Sequence, residues 1–204
     1  MGKQIANIIS YWLHPLWMPL YVIFTFWSLN SSMLMQGHSN IWLYIILVVF
    51  INTILIPLLL FWMLKKLKLL ESFKMEERKD RIFPFLIMGV FYLTTWFVFH
   101  QLGIFGYIAM VFMLAAVLSF LALLITLFWK ISIHLISMGA FSFFILYLSS
   151  IHFIPTHWPV YAIILLSGIL AWARLTLKSH NSAQIYTGFI LGALVGGVFL
   201  MGIA

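Results

Sequence analysis

One stretch of this chain decides what it can become. Residues 41–64 contain no charged side chain, and roughly 20 apolar residues are enough to cross the hydrocarbon core of a bilayer as a helix. Comparable runs lie at about 82–99, 107–129, 134–151, 159–173 and 184–203, with a shorter one at about 16–29 that Pro19 enters near its start. In lipid every backbone N–H and C=O must be satisfied inside the protein, so spans of this length are helices. The expected architecture is all-α, a polytopic transmembrane bundle of about six or seven spans, read as a single integral-membrane domain over residues 1–204. The run at 16–29 is the one that decides between six and seven.

Composition closes the alternatives. Hydrophobic residues make up 65% of the chain and charged residues 7%, against roughly 45–50% and about 25% in soluble domains. Four acidic side chains cannot solvate a water-facing surface, which excludes a soluble globule and a disordered chain alike. The net charge of +7 does not mark a nucleic-acid binder, because no water-facing domain is left to bind one. No cysteine is present, which excludes disulfides, thiolate metal sites and cysteine nucleophiles. The N-terminus, with Lys3 as its one charge and with His14, Pro15 and Pro19 interrupting the apolar run, does not read as a cleaved signal peptide.

The charges are one-sided. Residues 65–82 hold Lys65, Lys66, Lys68, Lys74, Arg78, Lys79 and Arg81 together with all four acids, Glu71, Glu76, Glu77 and Asp80. Counting spans from there returns the chain to the same side at Lys130 and again at Arg174 and Lys178. If 16–29 spans, Lys3 joins them. By the positive-inside rule that side is the cytoplasm, with the N-terminus inside; a bacterial inner membrane is the expected setting. The opposite loops carry histidines and no Lys or Arg. His14, His38, His100, His152 and His157 read as interfacial, and His14 falls on the charged side if 16–29 spans. In the last run, Gly188, Gly192 and Gly196 repeat every fourth residue, a spacing that lets helices approach closely in lipid. Asn52 and Thr53, in the middle of the second run, are expected to bond a neighbouring helix.

Three polar clusters interrupt the apolar sequence on the charged side: 74–84, 130–134 and 174–184. Together they supply Lys74, Arg81, Ser132, His134, Arg174 and His180. Arginine forks and a lysine point charge hold phosphate oxygens, a serine hydroxyl adds a hydrogen bond, and helix-start N–H groups draw an anion. Two histidines allow one to attack phosphorus and the other to deliver a proton.

These residues resemble the three-part signature of the type 2 phosphatidic acid phosphatase superfamily, K-x6-R-P, P-S-G-H and S-R-x5-H-x3-D. Lys74 and Arg81 keep the first spacing, with the proline displaced to Pro84. Ser132-Ile133-His134 matches S-x-H, with Ile131 and Ile133 in place of Pro and Gly. Arg174 and His180 keep R-x5-H; Ala173 replaces the Ser and Gln184 stands where the family has Asp. The resemblance spans about residues 74–190. It implies a metal-independent lipid phosphate phosphatase that needs no cofactor. His180 would be the nucleophile that becomes phosphohistidine, His134 the acid, and Gln184 the acceptor that orients His180. Lys74, Arg81, Ser132 and Arg174 would hold the phosphoryl group, with Lys130 and Lys178 as secondary contacts. The implied partner is a phosphorylated membrane lipid within the bilayer, such as a phosphomonoester or a pyrophosphate. Two other functions stay open: a non-catalytic lipid-phosphate carrier or assembly factor, which the Gln184 substitution motivates, and a transporter of an anionic lipid.

Overall fold

The structure is a computed structural model, and it describes residues 1–29, 40–68, 77–104, 106–151 and 157–202. Its regular elements are helices throughout, with no strand among the described residues. Six helical segments are long and apolar enough to cross a membrane: Trp42–Lys66, Lys79–Gln101, Ile108–Phe128, Ile133–Ile151, Trp158–Thr176 and Ser182–Met201. The protein is therefore an all-helical integral membrane protein. The run at 16–29 becomes a short turn, Pro15–Trp17, and a helix of 12 residues, Met18–Leu29, which is below the length of the six.

The chain divides into two compact units. A central unit comprises residues 16–127, and a terminal unit comprises 1–15 together with 128–204.

In the central unit the helices are α2 (Met18–Leu29), α3 (Asn40–Phe50), α4 (Ile56–Lys66), α5 (Ile82–Gln101) and α6 (Tyr107–Phe128). A π-helical turn, Ile51–Leu55, joins α3 to α4 without a break in the span. Pro57 explains it. Proline has no N–H to give to the carbonyl of Thr53 and its ring crowds that carbonyl, so the helix widens there. Inside the widened turn the amide of Asn52 donates to Thr95 Oγ1 of α5 at 3.4 Å, the interhelical bond expected of it. Thr53 instead donates to Val49 O of its own helix at 2.8 Å.

The terminal unit contains α1 (Gly2–Trp12), α7 (Ile133–Ile151), α8 (His157–Thr176) and α9 (Ser182–Met201). The N-terminal α1 is an addition to the expected architecture. It has three faces: Ala6 and Ser10 are buried, Ile5, Ile8 and Trp12 form an exposed apolar stripe, and Lys3, Gln4 and Asn7 are exposed and polar. It packs on α8. The most deeply buried helix of the unit is α7, which packs against both α8 and α9. The lipid-facing side of α9 is an unbroken ladder of Tyr186, Ile190, Leu194 and Val198.

Its opposite side is the glycine row. A Cβ on Gly188 would stand 2.9 Å from Ser132 O, one on Gly192 would run into Ile136 O, and one on Gly196 would lie 3.4 Å from the Cα of Ala140. Both sets of residues rise by four, so α7 and α9 run parallel with their N-termini side by side. Gly139 of α7 meets the carbonyl of Phe189 in the same way. The backbones touch because no side chain intervenes. This contact carries the second and third polar clusters to the same end of the unit.

Candidate functional site

The third cluster sits in the α8–α9 connection, and local hydrogen bonds set its shape. At the end of α8, Ser179 N donates to Arg174 O at 3.2 Å and Lys178 N donates to Leu175 O at 2.9 Å. This nested pair is a Schellman closure, with Lys178 in the left-handed conformation at φ 54°. The closure fixes the chain between Arg174 and His180. Lys178 spends its backbone on the turn and its side chain is exposed.

A second motif begins at once. Asn181 caps α9: its side chain accepts from Gln184 N at 2.9 Å, and Gln184 Oε1 accepts from Asn181 N at 3.3 Å. This is a reciprocal capping box. The same Gln184 Oε1 lies 3.0 Å from His180 Nδ1. A backbone N–H can only donate, so the atom facing Asn181 N is the amide oxygen. The imidazole nitrogen on that oxygen must then be a donor as well. His180 therefore carries a proton on Nδ1, and in the neutral ring its lone pair is on Nε2. The pairing does not come from a shared helix face, since α9 starts at Ser182; the capping box turns Gln184 back toward His180.

The second cluster opens α7. Ser132 N donates to Gln184 O at 3.3 Å, and Ser132 O accepts from Leu135 N and Ile136 N at 3.1 and 3.0 Å. The side chain at this helix start usually caps. Here Ser132 Oγ is fully buried and has no hydrogen-bond partner. Two residues on, His134 is 7% exposed. Its ring is hydrogen-bonded to the backbone of Ser10, and it lies close enough to Arg174, His14 and His180 to feel their charges. His134 Nε2 is buried without a partner. A ring that donates from Nδ1 to a carbonyl leaves the lone pair on Nε2.

Two residues of this cluster come from the N-terminal helix and the turn that follows it. Ser10 supplies the backbone contact to His134, and its own Oγ is buried and unpartnered. His14, just beyond α1, packs against His134 with ring centroids 5.0 Å apart and planes at 86°. Burial first, and the positive charge of Arg174 second, push His14 down to about 4, so it is neutral at neutral pH. The sequence signal for both is slight: a buried-face serine four residues before a histidine, in a short helix that no hydropathy run announces.

Four buried polar atoms thus lie unpartnered around one end of the terminal unit: Ser10 Oγ, Ser132 Oγ, His134 Nε2 and Arg174 Nε. Buried polar groups are normally paired, and each unmade bond costs about 1–3 kcal/mol. An arginine head and a hydroxyl can donate to an oxyanion, and the unpartnered imidazole nitrogen can accept a proton that such an anion carries. Among the described residues no group of three or more His, Cys, Asp or Glu side chains is placed to hold a metal ion.

Of the residues expected at the site, Ser132, His134, Arg174, His180 and Gln184 are brought together. Lys130, two residues before Ser132, is partly exposed. Arg81 belongs to the central unit, where it is buried beside an equally buried Asp80 at the start of α5. Lys74 lies outside the described residues. No protein-family model matches the chain, and neither does any curated protein or solved structure.

Proposed function

We propose that this chain is a lipid phosphate phosphatase, resembling the type 2 phosphatidic acid phosphatases, that hydrolyses a phosphomonoester or pyrophosphate on a membrane lipid. The observation that carries the proposal is the convergence of His180, held through Nδ1 by Gln184 Oε1, with three buried, unpartnered polar atoms on Ser132, His134 and Arg174.

A phosphomonoester monoanion fits the protonation states. Arg174 takes its anionic oxygen, Ser132 donates to a second, and the P–OH proton passes to Nε2 of His134. His180 Nε2 then attacks phosphorus. The ester P–O bond breaks, an N–P bond forms, and the leaving oxygen takes the proton from His134. In the second half water attacks phosphorus and gives its proton to His134, the N–P bond breaks, and the departing phosphate takes that proton back, leaving both imidazoles neutral. Arg174 and Ser132 stabilise the equatorial oxygens in both steps. Lys74 and Arg81 enter as further phosphate ligands through the motif resemblance alone. The one-sided bases support a cytoplasmic motif face, with the N-terminus inside where residues 16–29 cross; Arg78→Cys in this cysteine-free chain tests that face, because labelling from outside intact cells overturns it.

The test of activity is phosphate release by the purified protein from phosphatidic acid, phosphatidylglycerophosphate and polyprenyl phosphates, with His180→Ala as control. Equal background release from both proteins overturns the proposal.

One observation favours a second function, a lipid-phosphate carrier or assembly factor without turnover. The oxygen orienting His180 is a neutral amide already engaged by Asn181 N, so it stabilises an imidazolium less than a carboxylate would. Tight binding of lipid phosphate with no acid-labile phosphoprotein after brief exposure to labelled substrate would decide for the carrier.

A further inference from the structure

The phosphatase motifs draw nothing from the first fifteen residues, yet the structure puts two of them against His134. We propose that the N-terminal helix α1 is a wall of the active site and that His14 is a positioning residue for His134, the ring holding that imidazole upright while the Ser10 carbonyl fixes its tautomer. This deepens the phosphatase proposal and rests on it.

The geometry carries the assignment. His134 starts α7, and a side chain on the first turn of a helix has freedom to swing. Two contacts remove that freedom. The Ser10 backbone engages one ring nitrogen, and the His14 ring stands edge-to-face on the imidazole, 5.0 Å away at 86°. Both come from α1 and the turn that follows it; α1 packs on α8 and buries Ala6 and Ser10. The arrangement leaves His134 Nε2 buried and unpartnered, which is the position a proton carrier needs before substrate arrives.

Charge explains why the second ring is a histidine kept neutral. The charged and titratable groups facing His134 are Arg174 from α8, His180 from the α8–α9 connection and His14 from the turn after α1. Arg174 is already a cation, so an added charge on His14 would oppose the proton that His134 must take from the ester. Held in a buried site beside Arg174, His14 stays uncharged through the working range, and its polarisable ring accommodates the transient imidazolium. Phenylalanine preserves the ring and its neutrality; alanine removes both.

The test uses the full-length protein labelled with ¹⁵N-histidine in nanodiscs, titrated with inorganic phosphate, with assignments by single substitution. Wild-type His134 should be protonated on Nδ1, and the signals of His14, His134 and His180 should all move with phosphate. In turnover assays His14→Ala should lower kcat about 10- to 100-fold, within the usual span of acid–base contributions, with KM changed little and the pH profile displaced. His14→Phe should restore most of kcat. A His134 protonated on Nε2, a His14 signal that stays silent while His134 and His180 respond, or a His14→Ala protein with wild-type kcat and pH profile overturns the role given to α1. The spectra of the unsubstituted protein decide this even if His14→Ala does not fold. If phosphate moves none of the three signals, the phosphate site itself is refuted, which is a separate failure from the loss of His14 alone.

Discussion

Gln184 Oε1 stands 3.0 Å from His180 Nδ1 while also accepting the backbone N–H of Asn181 at 3.3 Å. One oxygen therefore caps the start of α9 and orients the His180 ring, the proposed nucleophile. Gln184→Glu keeps the capping box, since Glu is as good a residue as Gln at that position, and adds the missing negative charge beside the imidazole. We expect phosphate release to rise about tenfold or more, because the reverse change of charge beside a catalytic histidine elsewhere lowers turnover by as much as about 10⁴. Gln184→Ala should lower turnover and also cost about 1 kcal/mol of stability through the lost cap. Phosphate-release rates and thermal unfolding in detergent measure the two effects separately.

The glycine row sets the separation of Ser132 from Gln184. Gly192→Leu drives a side chain into the Ile136 carbonyl, and overpacking of this kind costs about 1–3 kcal/mol. It should also pry Ser132 N from Gln184 O and lower activity with stability. Gly168 of α8 has open space around its Cβ position, so Gly168→Ala should leave activity unchanged and stability unchanged or slightly higher. Equal unfolding temperatures for the two variants would contradict close backbone packing of α7 on α9.

Much of this was legible before any coordinates. Six apolar runs of spanning length appear as six helices because, in lipid, hydropathy and backbone satisfaction leave no other structure. The Gly188–Gly192–Gly196 spacing announced a close helix contact, and spans of alternating direction were enough to place His134, Arg174 and His180 together. What escaped was local. The eleven-residue α1 is too short and too mixed in polarity to stand out in a window sized for a membrane span, and a contact from the Ser10 backbone to an imidazole leaves no mark on the sequence. Gln184 was legible as a departure from a motif, whereas its second duty depends on Asn181 three residues before it, a pairing visible only when the helix start is known. For Lys74 and Arg81 the motif spacing remains the whole of the argument: the first lies outside the described residues, and the second is a buried residue of the central unit.

Ser132 offers a test that separates fold from function. Its hydroxyl is buried and makes no hydrogen bond, although it occupies a helix start where serine ordinarily caps. Ser132→Ala should therefore leave thermal stability unchanged or slightly higher, since an unsatisfied buried donor is removed. Turnover should fall about 10²-fold, the usual loss for one donor to a developing oxyanion. A variant that unfolds earlier and keeps its activity would show the hydroxyl to be structural.

His14 should make stability depend on pH in a stated direction. Its ordinary value is 6.5 and the folded protein holds it near 4, through burial and then Arg174. Between those values the unfolded chain binds a proton that the folded protein does not, so stability is fully present above about 6.5 and falls as the pH drops toward 4. At 1.36 kcal/mol per unit the loss from this group is at most about 3–4 kcal/mol. His14→Phe cannot take up the proton in either state, so its unfolding temperature should decline less steeply between pH 7 and pH 4 than that of the unsubstituted protein. Parallel curves for the two proteins across this range would show that His14 is as open to protons in the folded bundle as in the unfolded chain, and that the wall built by α1 does not shield it.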